Sequence, residues 1–321
     1  MKLAIVYAGQ GSQHPGMGQD LYEGNAVFQK TWDAAGNAVD FDLKEVCFKD
    51  SQGLLNQTAY TQPCMVAFQT AMTAVLENLG ILKKADYVAG LSLGEYSALQ
   101  AAGLWTPSDA VKIASFRGQA MTESAEGVDC GMTAIIGLKR EELEPLLEEN
   151  CFITNDNCPS QLVISGERTS VEKTSEKAKE AGAMKVVPLK VSGPFHTPYM
   201  KKAGEKLAKF LPTIAKNAMK KEVVYNFLGR PEADADVTDL LVNQVQNGVR
   251  MRESLIYLLE QGVDTFVEVG PGKTLSGFVK RTAKALEKEN GLPNGLKSSD
   301  IKTYVVETAE DLEALRGVLY E

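Results

Sequence analysis

Gly90-Leu91-Ser92-Leu93-Gly94 carries the strongest chemical signal in this chain. It follows a short apolar run, Tyr87-Val88-Ala89, and leads into the helix-like stretch Glu95–Ala102. A serine between two glycines, where a strand turns into a helix, is the arrangement of a nucleophile elbow. Glycines on both sides lack a Cβ, so the chain can turn sharply and hold the Ser92 hydroxyl exposed in a strained conformation. The start of the following helix offers unpaired N–H groups and positive dipole, which suit the oxyanion of an acyl-transfer intermediate. The plainer reading is a serine that caps an ordinary helix.

An activated serine needs a base, and the chain has two histidines, His14 and His196. His196 sits in Ser192-Gly193-Pro194-Phe195-His196-Thr197-Pro198, a loop-like setting where functional side chains concentrate. A satisfied core histidine is the other reading there. His14 follows the first glycine loop, exposed or lining a rim, and is the second candidate. Serine before histidine matches one known order of serine acyl enzymes. No acidic residue announces itself as the orienting third member, but a backbone carbonyl can hold an imidazole tautomer equally well. Gly9-Gln10-Gly11-Ser12-Gln13 is either a flexible loop or, beside the elbow, a source of the Gln10 N–H for the same oxyanion. Ligands collect at that edge of a parallel sheet. Arg117 interrupts an apolar helix. It is either a surface arginine or a guanidinium that holds a substrate carboxylate through two parallel bonds, and periodicity does not choose.

Such residues must be brought together by a scaffold. The 321 residues are 44% apolar and 24% charged, an ordinary globular composition. Apolar runs fall short of the roughly 20 residues that span a bilayer, and Met1–Tyr7 reads as a first buried strand rather than a signal peptide. Five cysteines without a C-x-x-C pair exclude the usual zinc and redox motifs and fit a reducing cytoplasm. A net charge of −8 argues against nonspecific nucleic-acid binding. Strand-like segments at Leu3–Ala8, Tyr87–Ala89, Val223–Asn226, Thr265–Val269 and Thr303–Val306 alternate with helical ones at Thr61–Leu79, Pro107–Glu123, Pro198–Ile214, Val237–Val245, Arg252–Gln261 and Thr274–Leu286. Continuous apolar strands alternating with helices indicate a mainly parallel sheet covered on both faces. Between them lies a separate unit: strands at Gly131–Gly137, Cys151–Asn155, Gln161–Ser165 and Met184–Val191, with helices at Arg140–Glu149 and Arg168–Gly182. That β-α-β-β-α-β order is ferredoxin-like. The expected fold is a hydrolase-like α/β core, residues 1–127 and 192–321, with an inserted ferredoxin-like subdomain, 128–191, and an active site in the cleft between.

Six motifs make the reading specific. Gly9-Gln10-Gly11-Ser12-Gln13, Gly90–Ala98, Phe116-Arg117-Gly118, Val163-Ile164-Ser165-Gly166, Phe195-His196 and Glu268-Val269-Gly270-Pro271-Gly272-Lys273 occur in that order over nearly the full chain. In this the chain resembles the malonyl-CoA:acyl carrier protein transacylases. The resemblance implies Ser92 as nucleophile and His196 as base, with the Gln10 and Leu93 N–H groups as oxyanion hole. It implies Arg117 as the malonyl carboxylate's partner, and the main-chain carbonyl of Arg250, in Asn247–Met251, as the group that orients the histidine. Malonyl would pass from malonyl-CoA to Ser92 and then to the carrier's pantetheine thiol with ping-pong kinetics, no metal or redox cofactor being implied. The partners implied are acyl carrier protein and coenzyme A, with no nucleic acid or membrane, for a monomeric cytoplasmic enzyme.

Three positions depart from the family pattern. Leu91 stands where histidine is usual, which changes packing beside the pocket. Ala8 stands where proline is frequent. Phe195 resembles the bulky aromatic that accompanies malonyl rather than branched acyl groups. A serine hydrolase or thioesterase would share the elbow and histidine but needs no carboxylate-binding arginine. A trans-acting polyketide synthase acyltransferase would share all of them, and a noncatalytic carrier-docking protein would have lost Ser92 or His196. Because the chain is acidic, attraction for an acidic carrier must come from local basic clusters. The candidates are Lys201, Lys202 and Lys206, and Lys273, Lys280 and Arg281.

Overall fold

The first strand, β1 (Leu3–Tyr7), is buried at every position, so its alternating side chains must serve two cores. Leu3, Ile5 and Tyr7 enter one apolar cluster, and Ala4 and Val6 enter another. In the computed structural model, which describes residues 1–189 and 193–320, β1 is the middle of a five-stranded parallel sheet. Its neighbours are β2 (Ala85–Gly90), β7 (Glu222–Val224), β8 (Thr265–Val269) and β9 (Lys302–Val306), in the order β7-β2-β1-β8-β9. Helices Ala26–Gly36, Thr58–Asn78 and Pro107–Ala125 cover one face, and Met251–Glu260 and Thr274–Glu289 the other.

Strands β3 (Cys130–Ile136), β4 (Cys151–Cys158), β5 (Gln161–Glu167) and β6 (Lys185–Pro188) form a separate antiparallel sheet in the order β4-β5-β3-β6. With the Arg168–Glu180 helix they enclose their own small core of Ile135, Leu143, Ile153, Leu162, Ile164 and Val171. The hydrolase-like parallel core and the ferredoxin-like insert expected from the sequence are both present. The strand expected over Met184–Val191 is observed as β6, and its last two residues, with the boundary at 191–192, lie outside the described residues.

The small sheet is tied to the rest of the chain by backbone as well as side-chain bonds at β4. Val249 donates its N–H to the Thr154 carbonyl and accepts from the Asp156 N–H, both at 2.9 Å, and Arg252 grips the buried Asp156 carboxylate with both Nε and Nη2. Gly248 passes so close to β4 that a Cβ would stand 2.6 Å from the Ile153 carbonyl oxygen.

Element edges differ from expectation where proline or capping intervenes. The helix expected over Thr61–Leu79 begins at Thr58 and carries Pro63 inside it. The helix expected over Arg140–Glu149 stops at Leu143 and continues as a 3-10 turn, Glu144–Leu146. Pro145 lacks an N–H and its ring crowds the preceding turn. An unexpected helix, Ala309–Tyr320, closes the described chain. Its start is a reciprocal pair in which the Thr308 N–H donates to Asp311 and the Asp311 N–H to Thr308. Among the described residues no helix is long and apolar enough to cross a membrane.

Candidate active site

The elbow forms because β2 runs directly into the Gly94–Ala101 helix. Ser92 has φ +52°, in the left-handed region, a conformation that costs a non-glycine residue on the order of 1 kcal/mol or more. The flanking glycines do a different job from the one expected of them. Neither has positive φ; both permit close approach. A Cβ on Gly90 would fall 2.0 Å from the Gly94 carbonyl carbon, and one on Gly94 would fall 2.2 Å from the Tyr7 carbonyl oxygen. Strain within the elbow is therefore confined to the nucleophile, with His196 likewise left-handed at φ +60°, while the glycines let the helix start press against β1.

His196 reaches this hydroxyl. Its Nε2 lies 2.7 Å from Ser92 Oγ, and its Nδ1 lies 2.8 Å from the Gln244 carbonyl oxygen. A carbonyl only accepts, so Nδ1 carries the proton and Nε2 is left to accept from the serine. Burial, reinforced by the Arg117 charge, pushes the imidazole down to about 4, so it is neutral at pH 7. The orienting carbonyl is thus that of Gln244 and not that of Arg250. The Arg250 carbonyl is already taken by the Ser254 N–H and hydroxyl at the start of the next helix. Gln244 lies in the last turn of the Val237–Gln246 helix, where carbonyls have no intrahelical partner and remain available. His14 is elsewhere: exposed, its Nε2 2.5 Å from Glu307, whose carboxylate raises its pKa.

Arg117 resolves to the buried alternative. It is 1% exposed, with Nη2 3.2 Å from both Ser92 Oγ and Gln244 Oε1, and its guanidinium stacks over the Tyr96 ring. Burial lowers its pKa, yet nothing takes its Nε–H. Gln10 lines the same cleft. Among the described residues neither the Gln10 nor the Leu93 backbone N–H has an acceptor, whereas the Ser92 N–H is occupied by Asn226 Oδ1 at 2.6 Å. Gln10 therefore carries a free N–H on a residue that lines the cleft, and Leu93 carries one on the residue next to the serine, donors of the kind an oxyanion requires.

The cleft has a volume of about 1070 Å³ and lies between the two sheets. Phe195, Leu91 and Met121 contribute apolar wall, and Met132, Val171 and Val186 of the small sheet and its helix face them. Neither basic cluster lines it; Lys206 is paired with Glu123, and Arg281 is bonded to Gln161. The Glu268 motif is structural: the buried carboxylate accepts the Leu275 and Ser276 N–H groups and caps the Thr274–Glu289 helix.

A nucleophile elbow whose hydroxyl meets a neutral histidine and a buried arginine, with free N–H donors at Gln10 and Leu93, is an acyl-transfer constellation. The sequence matches the family model of the acyl transferase domain over residues 4–308. The chain belongs to the acyl transferase domain family. It is 36% identical over 319 residues to the malonyl CoA-acyl carrier protein transacylase of Staphylococcus aureus (strain MRSA252), covering 97% of each chain. The crystal structure of that enzyme from Clostridium perfringens superposes with a TM-score of 0.89 at 35% identity, covering 99% of this chain and 97% of the other. A malonyl-transacylase solved in complex with its type II PKS acyl-carrier protein superposes with a TM-score of 0.90 at 32% identity, over 99% of this chain and all of the other.

Three residues of this acyltransferase's site had no role in the sequence reading. Asn226 and Gln244 hold the Ser92 N–H and carbonyl, and Glu95 accepts from both of them. Glu95 stands three residues after the nucleophile, and an acid in a buried first helical turn is the one signal that marked it.

Proposed function

We propose that this chain transfers the malonyl group of malonyl-CoA to the pantetheine thiol of an acyl carrier protein through a malonyl ester on Ser92. It would supply fatty-acid or polyketide chain extension in the cytoplasm. The observation that carries the reading is the buried Arg117 guanidinium 3.2 Å from the Ser92 hydroxyl. A hydrolase of uncharged esters has no use for a cation there; an acyl group ending in a carboxylate does. The names of the relatives, and the capture of one with its carrier protein, support the same substrate and partner.

Ser92 Oγ attacks the thioester carbonyl while His196 Nε2 takes its proton. The Gln10 and Leu93 N–H groups receive the oxyanion, and His196 returns the proton to the departing coenzyme A thiolate. The carrier's thiol then attacks the ester in the reverse sense. Arg117 acts twice. It positions the short acyl chain, and its pairing with the malonyl carboxylate offsets a charge that depresses the imidazole, making His196 a better base once substrate is bound. Phe195 narrows the pocket toward unbranched malonyl. Every residue in the scheme comes from one chain, which suits a monomer, and no step calls for a metal or redox group.

Intact-mass measurement after incubation with malonyl-CoA tests the scheme. A malonyl adduct is expected on the native chain, absent in Ser92→Ala and discharged by carrier protein. An adduct on Ser92→Ala removes the nucleophile assignment. An adduct that water discharges as fast as carrier protein does makes the chain a thioesterase.

A further inference from the structure

Glu95 is wholly buried, yet its carboxylate bonds no group of the scheme above. Its Oε2 accepts two bonds: from the Asn226 backbone N–H at 2.9 Å and from Gln244 Nε2 at 3.1 Å. Both donors belong to residues that grip the nucleophile. Asn226 takes the Ser92 N–H on its Oδ1 and bonds the Gly90 carbonyl through Nδ2. Gln244 donates Nε2 to the Ser92 carbonyl at 2.9 Å, offers Oε1 to Arg117, and holds His196 with its own backbone carbonyl. The strained Ser92 backbone is thus clamped on both sides by amide side chains that share one carboxylate.

A glutamine amide has ends of nearly equal shape, so its neighbours decide which way it points. Gln244 has a pure donor, Arg117, at its oxygen and acceptors at its nitrogen. An ionised Glu95 strengthens that polarity by a charge-assisted bond. We infer that Glu95 is a positioning residue, whose carboxylate fixes the Gln244 amide and Asn226 and through them registers Ser92, His196 and Arg117 with one another. The inference rests on the acyl-transfer reading of Ser92 and His196.

Ionisation of Glu95 is then a condition of full activity. Burial raises its carboxyl to about 7, opposed by its two donors and by Arg117. The other titratable groups around it are Tyr96 and Tyr225, which burial holds protonated with pKa values near 12, and His196, which faces Arg117. The wild-type kcat/KM for enzyme acylation should therefore fall as pH drops through about 7, well above the histidine's own limb near 4.

The test is Glu95→Gln, which keeps shape and removes charge. Its kcat is expected to fall about tenfold to a hundredfold, as misregistered reacting groups do, with KM for malonyl-CoA within about threefold. The pH limb near 7 should vanish. Gln244→Met, which cuts the link but leaves the carbonyl on His196, should give a similar loss, and the double variant should be no worse than either single one. Wild-type kcat with the limb retained in Glu95→Gln overturns the inference, as does additivity in the double variant. Should Glu95→Gln not fold, a wild-type kcat in Gln244→Met overturns it alone. Ser92→Ala separates the two readings: acylation surviving there sinks the acyl-transfer scheme, while its loss beside a normal Glu95→Gln sinks only this inference.

Discussion

The two histidines of this chain share half their surroundings and differ in everything that follows. Each sets Nδ1 against a backbone carbonyl, Pro15 for His14 and Gln244 for His196. At Nε2 they diverge. His14 meets the Glu307 carboxylate in solvent and its pKa rises. His196 meets a hydroxyl in a buried site beside a guanidinium, and its pKa falls to about 4. A carboxylate partner makes a histidine an ion-pair cation; burial without one makes it a neutral base. Residue type announces the capacity for base chemistry, and the partner on the second nitrogen decides whether it is used.

The contrast is broken most directly by deleting each ring. His196→Ala should slow single-turnover acylation by about a thousandfold or more, because an unassisted hydroxyl is a poor nucleophile. His14→Ala should leave it within about twofold. Rapid-quench acylation with labelled malonyl-CoA measures both, and near-normal acylation in His196→Ala moves the base role elsewhere.

Removing the cation that helps depress His196 has the next largest effect. Arg117→Ala should weaken malonyl transfer by up to several kcal/mol, of the order found for loss of a buried charge pair. The ratio of acetyl to malonyl transfer should rise, since acetyl never paired with the guanidinium. Competition between the two thioesters reads the ratio, and an unchanged value means that Arg117 does not recognise the carboxylate.

The smallest effect concerns stability, where the two rings act in opposite directions. His14 has a raised folded pKa, so its contribution is fully present below its unfolded value near 6.5 and is lost as pH rises through the folded value. The pair is exposed and screened, so the amount stays under about 1 kcal/mol. The Tm deficit of His14→Ala should therefore shrink between pH 6 and pH 9. His196 has a depressed folded pKa. The stability it contributes as a neutral ring is present above pH 6.5 and is lost as pH falls toward 4. Thermal melts across pH 4–9 check both signs, and a His14→Ala deficit that grows with pH contradicts the ion pair.

The sequence showed what is local. The elbow, the apolar strands and the β-α-β-β-α-β insert are written in neighbouring residues, because hydrogen-bonded elements with buried faces impose short periods. Ser92 and His196 were legible for the same reason of type and setting. Arg117 was open until its burial was known, since a helix shows its period but not which side faces a cleft. Gln244 was missed, and the Arg250 carbonyl expected in its place, because the choice depends on which carbonyl a helix end leaves unpaired three-dimensionally. Asn226, Gln244 and Glu95 meet across more than 130 residues of chain, and no short pattern records such a meeting. The Ala309–Tyr320 helix was overlooked although Thr308 and Asp311 carry its start signal.

The tie between the sheets bears on how the cleft behaves under load. Val249 joins the small sheet by two backbone bonds, and the chain from Val245 to Gly248 connects it to Gln244, whose carbonyl holds His196. Prising the walls apart at this edge would put tension on that short strap, and its near end is the imidazole's anchor. An oversized guest would strain the imidazole's anchor together with the wall it pushes on.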